Sequence, residues 1–294
     1  MAVFGTYNQV GKREDLSDII TTITPSATPF MSSIKTEKVK ARVFEWQEDA
    51  LRSAADNKKV EGAAFSAGTQ SATTLRTNNT QILSTTFEVS ATANSISLAG
   101  RARETSYQLS KVLKEIKKDL EFAYVGQANS AVTGDASTAR EMASATAMIS
   151  TAVDAGSSST DPFTEAKLLT LAQTVYDNGG DPSVLMVKPA DSLIVANFAT
   201  ASGRNREFAQ SKTLVNVIDL MVTPFGSYNL VLNREQLTTH AFLYDPSMWR
   251  SSVLRPFSRE LLGKTSDGDT HAVVGEYSLK HMNFSADGMI TGLS

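Results

Sequence analysis

The 294-residue chain contains no cysteine. That absence excludes disulfides, thiolate catalysis and cysteine-ligated zinc together. It leaves the compartment open, because a chain without thiols is indifferent to redox poise. Histidine is scarce as well: His240, His271 and His281 are all there are, which limits general-base and metal chemistry. No apolar run approaches the roughly 18 residues of a membrane helix. The opening residues MAVFGTYNQVGKRED lack the basic-then-apolar plan of a secretory signal, so synthesis and folding in a cytoplasm are expected. Excess positive charge is missing too. A formal net charge of −3 argues against a free-standing nucleic-acid binder, which carries a basic field. What remains, 41% hydrophobic and 20% charged residues, is ordinary globular composition with length for one large or two modest domains.

Catalytic signatures are equally thin. The segment LLGKTSDGDTH, residues 261–271, imitates two of them. A phosphate-binding loop ending at Gly263-Lys264-Thr265 requires a glycine five residues earlier, where Ser258 stands. A calcium loop starting at Asp267 requires a glycine at 272 and a glutamate at 278, where Ala272 and Ser278 stand. A metal-dependent hydrolase centred on Asp267, Asp269 and His271 is the alternative from the enzyme class, set against a polar turn. No Gly-x-Ser-x-Gly, Gly-x-Gly-x-x-Gly or His-Glu-x-x-His occurs. His271 and His281 are ten apart on one extended segment, so about 30 Å can separate them; all three histidines read as structural. Asn78-Asn79-Thr80 and Asn283-Phe284-Ser285 match the glycosylation sequon and mean nothing without a secretion signal. No catalytic residue, cofactor or metal is expected.

The elements that are present are uneven. Residues 1–35 are polar, broken by Pro25 and Pro29, with Ile19, Ile20, Ile23, Phe30 and Ile34 spaced irregularly. They read as an arm with one helical turn at Leu16–Ile23, needing a partner on another surface. Val39, Ala41 and Val43 alternate with Lys38, Lys40 and Arg42, a half-buried strand whose parity switches at Phe44 and Trp46 as a bulge requires. A polar stretch, Ala54 to Thr80, separates it from a second strand, QILSTTFEVSAT. Together they predict a long hairpin with a polar tip. A lone ribbon is marginal in water, so it lies either on another surface or back on its own domain.

Residues 104–126 carry a helical stripe, Leu109, Val112, Leu113, Ile116, Leu120, Ala123 and Tyr124. Lys111–Glu115 and Lys117–Glu121 are spaced as exposed ion pairs, and Gly126 ends the run. A short helix is expected over Ala139–Ile149. The next is capped by Asp161, has Pro162 first and is closed by Gly179-Gly180. SVLMV, LVNVIDLMVT, YNLVLN and AFLYD read as strands, with a helix opening at Pro189, which makes 161–250 a compact α+β block. HAVVGEYSLKHMNFS and MITGL are two final strands around an Asp287-Gly288 turn.

Taken in order, several of these pieces resemble one family. FEWQEDAL, KVEGAAF, the run NNTQILSTTFEVSATANSISLAGRARETSYQLSKVLKEIKKDLEFAYVG through Gly100, TAREMASATAMI and GDTHAVVGEYSLKHMNFSADGMITGL are similar to segments of tailed-bacteriophage major head (capsid) proteins, the SU10-like branch. Ser144 stands where that family has a glycine. The resemblance covers nearly the whole chain and implies an α+β, HK97-like capsid fold. Its parts would be an N-terminal arm at 1–35, an extended E-loop at 36–90, a peripheral domain at 91–160 with 251–294, and an axial domain at 161–250. It implies a non-enzymatic shell protein that forms hexamers and pentamers around phage double-stranded DNA, found in the virion and assembled in the host cytoplasm. Expected partners are other copies of itself, a separate scaffolding protein, a portal and a decoration protein, with DNA on the inner face held without sequence preference and no membrane. Phe30, Phe44, Trp46, Lys58 and Lys59 are expected between subunits, and Leu109, Val112, Leu113, Ile116 and Leu120 in the packing of the long spine helix. An encapsulin-like cellular compartment shares the implied fold and stays as the second reading.

Overall fold

The computed structural model describes residues 26–64, 68, 70–96, 103–156, 162–201 (without the side chains of 199–201), 220–264 and 266–293. The expected turn at Leu16–Ile23, the Asp161 cap, Gly100, residues 214–219 of the expected strand and Thr265 lie outside them.

Two sheets share one apolar core. The first has four strands in the order β1 (Lys35–Lys38), β10 (Trp249–Leu261), β11 (Gly268–His281) and β4 (Gln81–Ser90). β1 runs parallel to β10, and the other pairs are antiparallel. The second has six, in the order β5 (Thr151–Asp154), β12 (Gly288–Thr291), β9 (Ala241–Tyr244), β6 (Val184–Val187), β8 (Gly226–Leu232) and β7 (Leu220–Thr223). β6 and β9 lie inside it, and all four residues of each are buried. That is why they appear in sequence as unbroken apolar runs, VLMV and AFLY. A separate two-stranded ribbon pairs β2 (Val43–Glu48) with β3 (Thr74–Asn79).

Helix α3 (Glu104–Val125) runs about 33 Å at 1.5 Å per residue. Val112 and Ile116 are buried with Val273 of β11, and Leu109 and Leu113 pack half-buried beside them. One turn further, Leu120, Ala123 and Tyr124 enter the core that holds Trp249 and Leu279 from one sheet and Met186 and Phe242 from the other. Gly126 closes the helix, and there a Cβ would collide with the Glu235 carbonyl. Helix α5 (Glu165–Asp177) covers the six-stranded sheet with buried Leu168, Leu171 and Val175. Gly179, at φ +86°, supplies the left-handed residue after its end, and the Gly180 N–H returns to the Val175 carbonyl. Helix α6 (Pro189–Ala201) opens at Pro189 as expected. The remaining helices are single turns: α1 (Pro29–Ser33), α2 (Ala91–Ser95) and α4 (Ala145–Met148).

Several expectations are corrected. The partner of VFEWQE is the polar TLRTNN, not QILSTTFEVSAT, which is β4 of the four-stranded sheet. β3 exposes Thr74, Leu75 and Thr77 and buries the polar Asn78 and Asn79, so it had no apolar alternation to show. The parity switch near residue 43 marks the break between β1 and β2. Helix α5 is capped by Thr164, whose hydroxyl accepts the Lys167 N–H, and not from Asp161 or Pro162. The helix expected over Ala139–Ile149 shrinks to the four residues of α4. β10 escapes a period-two reading because its register shifts between Val253 and Arg255 and again between Arg255 and Ser258, around Pro256. Asp287-Gly288 is not a hairpin turn, since β12 pairs with β5 and β9 and not with β11.

The Lys117–Glu121 pair is also absent, because Glu121 is fully buried. Its two oxygens accept the Phe30 and Met31 N–H groups at 2.8 Å each, and the Asn233 amide at 2.7 Å. Burial pushes this carboxyl above the ordinary range, opposed by those hydrogen bonds. The same contacts pull Phe30 into the core against Tyr124, Tyr244 and Trp249. Phe30, expected between subunits, is a core residue of its own chain.

Glu121→Ala is expected to lower unfolding stability by about 3 kcal/mol, since it strands two or three buried donors. Lys117→Ala on the exposed face should change it by less than about 0.5 kcal/mol. Urea unfolding followed by tryptophan fluorescence compares the two.

Candidate assembly surface

The β2–β3 ribbon leaves the body at residues 78–80, and there the chain buries three consecutive polar side chains. Asn78 and Thr80 are fully inaccessible and Asn79 nearly so. Buried polar groups are tolerated when each finds a partner, and the Asn78 and Thr80 side chains and the Asn79 backbone do. Asn78 donates to the Leu279 carbonyl at 2.6 Å, and its own oxygen accepts the Asn79 and Ala143 N–H groups. The Asn79 carbonyl accepts the Ser278 hydroxyl at 2.7 Å. The Thr80 N–H bonds the Arg42 carbonyl across the ribbon's foot, and its hydroxyl donates to Glu276 at 2.6 Å. A triplet that looks like an empty sequon is the anchor of the ribbon. The sequence offered no sign of it beyond three polar residues beside a strand.

Glu276 collects the charges around this anchor. One oxygen accepts Arg140 at 2.7 Å and the other Arg255 at 3.1 Å. Burial pushes its carboxyl up, but the Thr80 hydroxyl and the two guanidiniums outweigh burial and hold it below the ordinary 4.5.

Above the anchor the ribbon packs on its own chain. Trp46 stacks on Phe44 at 5.6 Å and meets Phe284 at 6.4 Å. The Arg76 guanidinium lies over the Phe284 ring at 4.2 Å and pairs with Glu48. Glu48 also accepts the Phe284 N–H. Trp46 is 9% exposed and Phe44 half-buried, so the aromatic pair faces the body of this chain. The ribbon's foot thus folds back on its own chain, one of the two arrangements open from sequence. Beyond Glu48 the described residues up to Thr73 are exposed, Leu51 at 99% and Val60 at 81%. Lys58 and Lys59 stand on this tip, with Lys58 paired to Asp56 at 2.6 Å.

The residues weighed as a metal centre do not converge. Asp269 pairs with Lys264 at 3.1 Å, Asp267 is exposed, and His271 is buried against Phe87 at 5.2 Å. Among the described residues no group of three or more His, Asp or Glu side chains is placed to hold a metal ion. A further buried charged cluster among the described residues lies where the two sheets meet. Asp287 accepts the Trp249 indole N–H at 2.6 Å and the Asp245 N–H at 2.8 Å. His281 Nε2 stands 2.9 Å from Asp287, at ion-pair distance but off the line of a hydrogen bond. The His281 and Trp249 rings lie parallel, 4.0 Å apart.

An SU10 major capsid protein family model matches residues 3–294. The chain belongs to that family. The major capsid protein of Escherichia phage Phieco32 is 29% identical over 98% of this chain and 96% of its own. Among solved structures, the capsid of a native GTA particle superposes with a TM-score of 0.72 at 10% identity, covering 100% of this chain and 99% of that one. The holo-SrpI encapsulin complex of Synechococcus elongatus PCC 7942 gives 0.60 at 12% identity, covering 100% and 97%. These two likenesses show the fold, which is HK97-like.

The carboxylate of Glu276 predicts a pH dependence. Its folded-state pKa lies below the unfolded value, so its contribution is present above about 4.5 and is lost as pH falls through the folded value. Glu276→Gln is expected to cost about 2 kcal/mol near neutrality. The gap to the natural chain should close as pH falls below 4.5, measured by urea midpoints across a pH series.

Proposed function

We propose that this capsid chain builds the icosahedral head shell of a phage by assembling into hexamers and pentamers around double-stranded DNA. The observation that carries the reading, beside family membership, is the ribbon: its foot is fixed by buried hydrogen bonds and its tip is bare. A segment exposing Leu51 and Val60 gains by lying on a neighbouring copy, where apolar burial contributes about 25 cal/mol per Å². Each such contact is weak alone, and closure of a shell makes the sum strong. Lys58, Lys59 and the rest of the tip are the inter-subunit contacts in this reading, while Phe44 and Trp46 set the angle from which the tip departs. The role is structural and not catalytic.

In this reading the E-loop is the ribbon with its tip, β1 and β4 belong to the peripheral domain with α3, and the six-stranded sheet forms the axial domain. The mildly acidic chain lines a DNA-filled head without gripping the DNA, in keeping with its net charge of −3. Scaffolding, portal and decoration proteins are its further partners, and assembly takes place in the host cytoplasm. Among the described residues no helix is long and apolar enough to cross a membrane. The likeness to an encapsulin is one of fold. The 29% identity to a phage major capsid protein over 98% of the chain favours the phage head.

Deleting residues 54–70 is expected to leave a folded, soluble chain with unchanged circular dichroism that no longer closes shells in negative-stain electron microscopy. Normal particles from this variant would overturn the assignment of the tip.

A further inference from the structure

A groove of about 470 Å³ opens between β1, β10 and α3. Its lining is mostly apolar and includes Met31, Val39, Leu254, Phe257 and Tyr277. Its charged lining residues are Lys38 and Lys117, both exposed. Neither makes an ion pair among the described residues, and no carboxylate lines the groove. A mostly apolar lining with two unpaired cations fits a short segment that is apolar on one side and acidic on the other.

The chain carries such a segment outside the described residues. Leu16, Ile19, Ile20 and Ile23 recur at i, i+3, i+4 and i+7, the spacing of one helical face. The only charges from 14 to 23 are Glu14, Asp15 and Asp18. The covalent path also leads there. Glu121 on α3 fixes the N–H groups of Phe30 and Met31. Lys117 lies one turn earlier on the same helix, about 6 Å away along its axis. Ile23 is eight residues before Met31, a reach of up to about 28 Å.

We propose that residues 14–23 dock in this groove of their own chain, with Leu16, Ile19, Ile20 and Ile23 against its apolar lining and Asp15 and Asp18 facing Lys38 and Lys117. Tethering through so short a linker gives the segment an effective concentration near the millimolar range, above that of the same segment on another molecule in dilute solution. The docked segment also covers Val39 and Phe257, which the four-stranded sheet leaves half-buried.

The absence of cysteine makes the test clean. Ile20→Cys is combined with Leu254→Cys in the unassembled full-length chain, and the rate of disulfide formation is followed on non-reducing gels and by peptide mass. Thr36→Cys, an exposed lining position, replaces Leu254→Cys as a second pair should the first disturb folding. An intrachain disulfide is expected to form about tenfold faster than in the Ile20→Cys, Leu51→Cys control. Adding Lys38→Glu and Lys117→Glu should slow it about fivefold, and Asp15→Lys with Asp18→Lys in the same chain should restore it. A rate no higher than the control overturns the proposal. Predominant cross-linked dimers also overturn it, since they give the groove to a second copy.

Discussion

A two-stranded ribbon buries no core of its own, so the direction in which it points is settled at its foot. In this chain the foot is Asn78, Asn79 and Thr80, three buried polar residues bonded to the body through the Asn78 amide, the Asn79 carbonyl and the Thr80 hydroxyl. Directional bonds suit this task better than apolar packing, which tolerates sliding. A register slip of one residue would reverse the faces of the ribbon, and it would leave the Asn78 amide and Thr80 hydroxyl unpaired in a buried site. Glu276 extends the constraint. It ties Thr80 to Arg140 and Arg255, so the loop before α4 and the bulged middle of β10 report to the same carboxylate.

The body that holds this foot is made rigid by a second set of buried polar contacts. The four-stranded and six-stranded sheets are joined through Trp249, which opens β10, and Asp287, which precedes β12. His281 closes β11 on the face of Trp249 and reaches the Met148 carbonyl at 3.2 Å. Glu121 performs the corresponding work for α1. Its oxygens hold the entering chain against α3, and Phe30 fills the space among Tyr124, Tyr244 and Trp249. Core packing supplies most of the stabilisation. These few polar groups decide which of many similar packings is adopted, since each wrong arrangement strands a donor or a carboxylate.

What was legible in the sequence follows from the same division. Elements that meet the core through a regular period were readable: α3 by its stripe, β6 and β9 as solid apolar runs, α5 by its Gly179-Gly180 close. Elements shaped by polar or irregular contacts were not. β3 has no apolar period because the residues it buries, Asn78 and Asn79, are polar. β10 loses its period at two register shifts. Glu121 and Asp287 carry charge at positions that look like surface or turn, and only the fold shows the donors converging on them. The core pocket of Phe30 was hidden for the same reason, since it is built from three residues more than ninety positions away. The family could be read from the order of motifs, while the anchor at residues 78–80 could not, because a buried Asn and an exposed Asn look alike in one dimension.

The contrast between foot and tip has a consequence for assembly. The bonds of the Asn78 amide, the Asn79 carbonyl and the Thr80 hydroxyl close on the body of the same chain, so this part of the foot is preorganised for association. The tip has few hydrogen bonds to the body and exposes apolar side chains. In the proposed assembly its conformation is left for the neighbour to set, at an entropic cost of about 1–2 kcal/mol for each residue fixed. A preorganised foot with an adaptable tip suits contacts that must form at slightly different angles in sixfold and fivefold rings. In the proposed assembly, direction is constant where the ribbon is buried, and adjustment falls to its exposed tip.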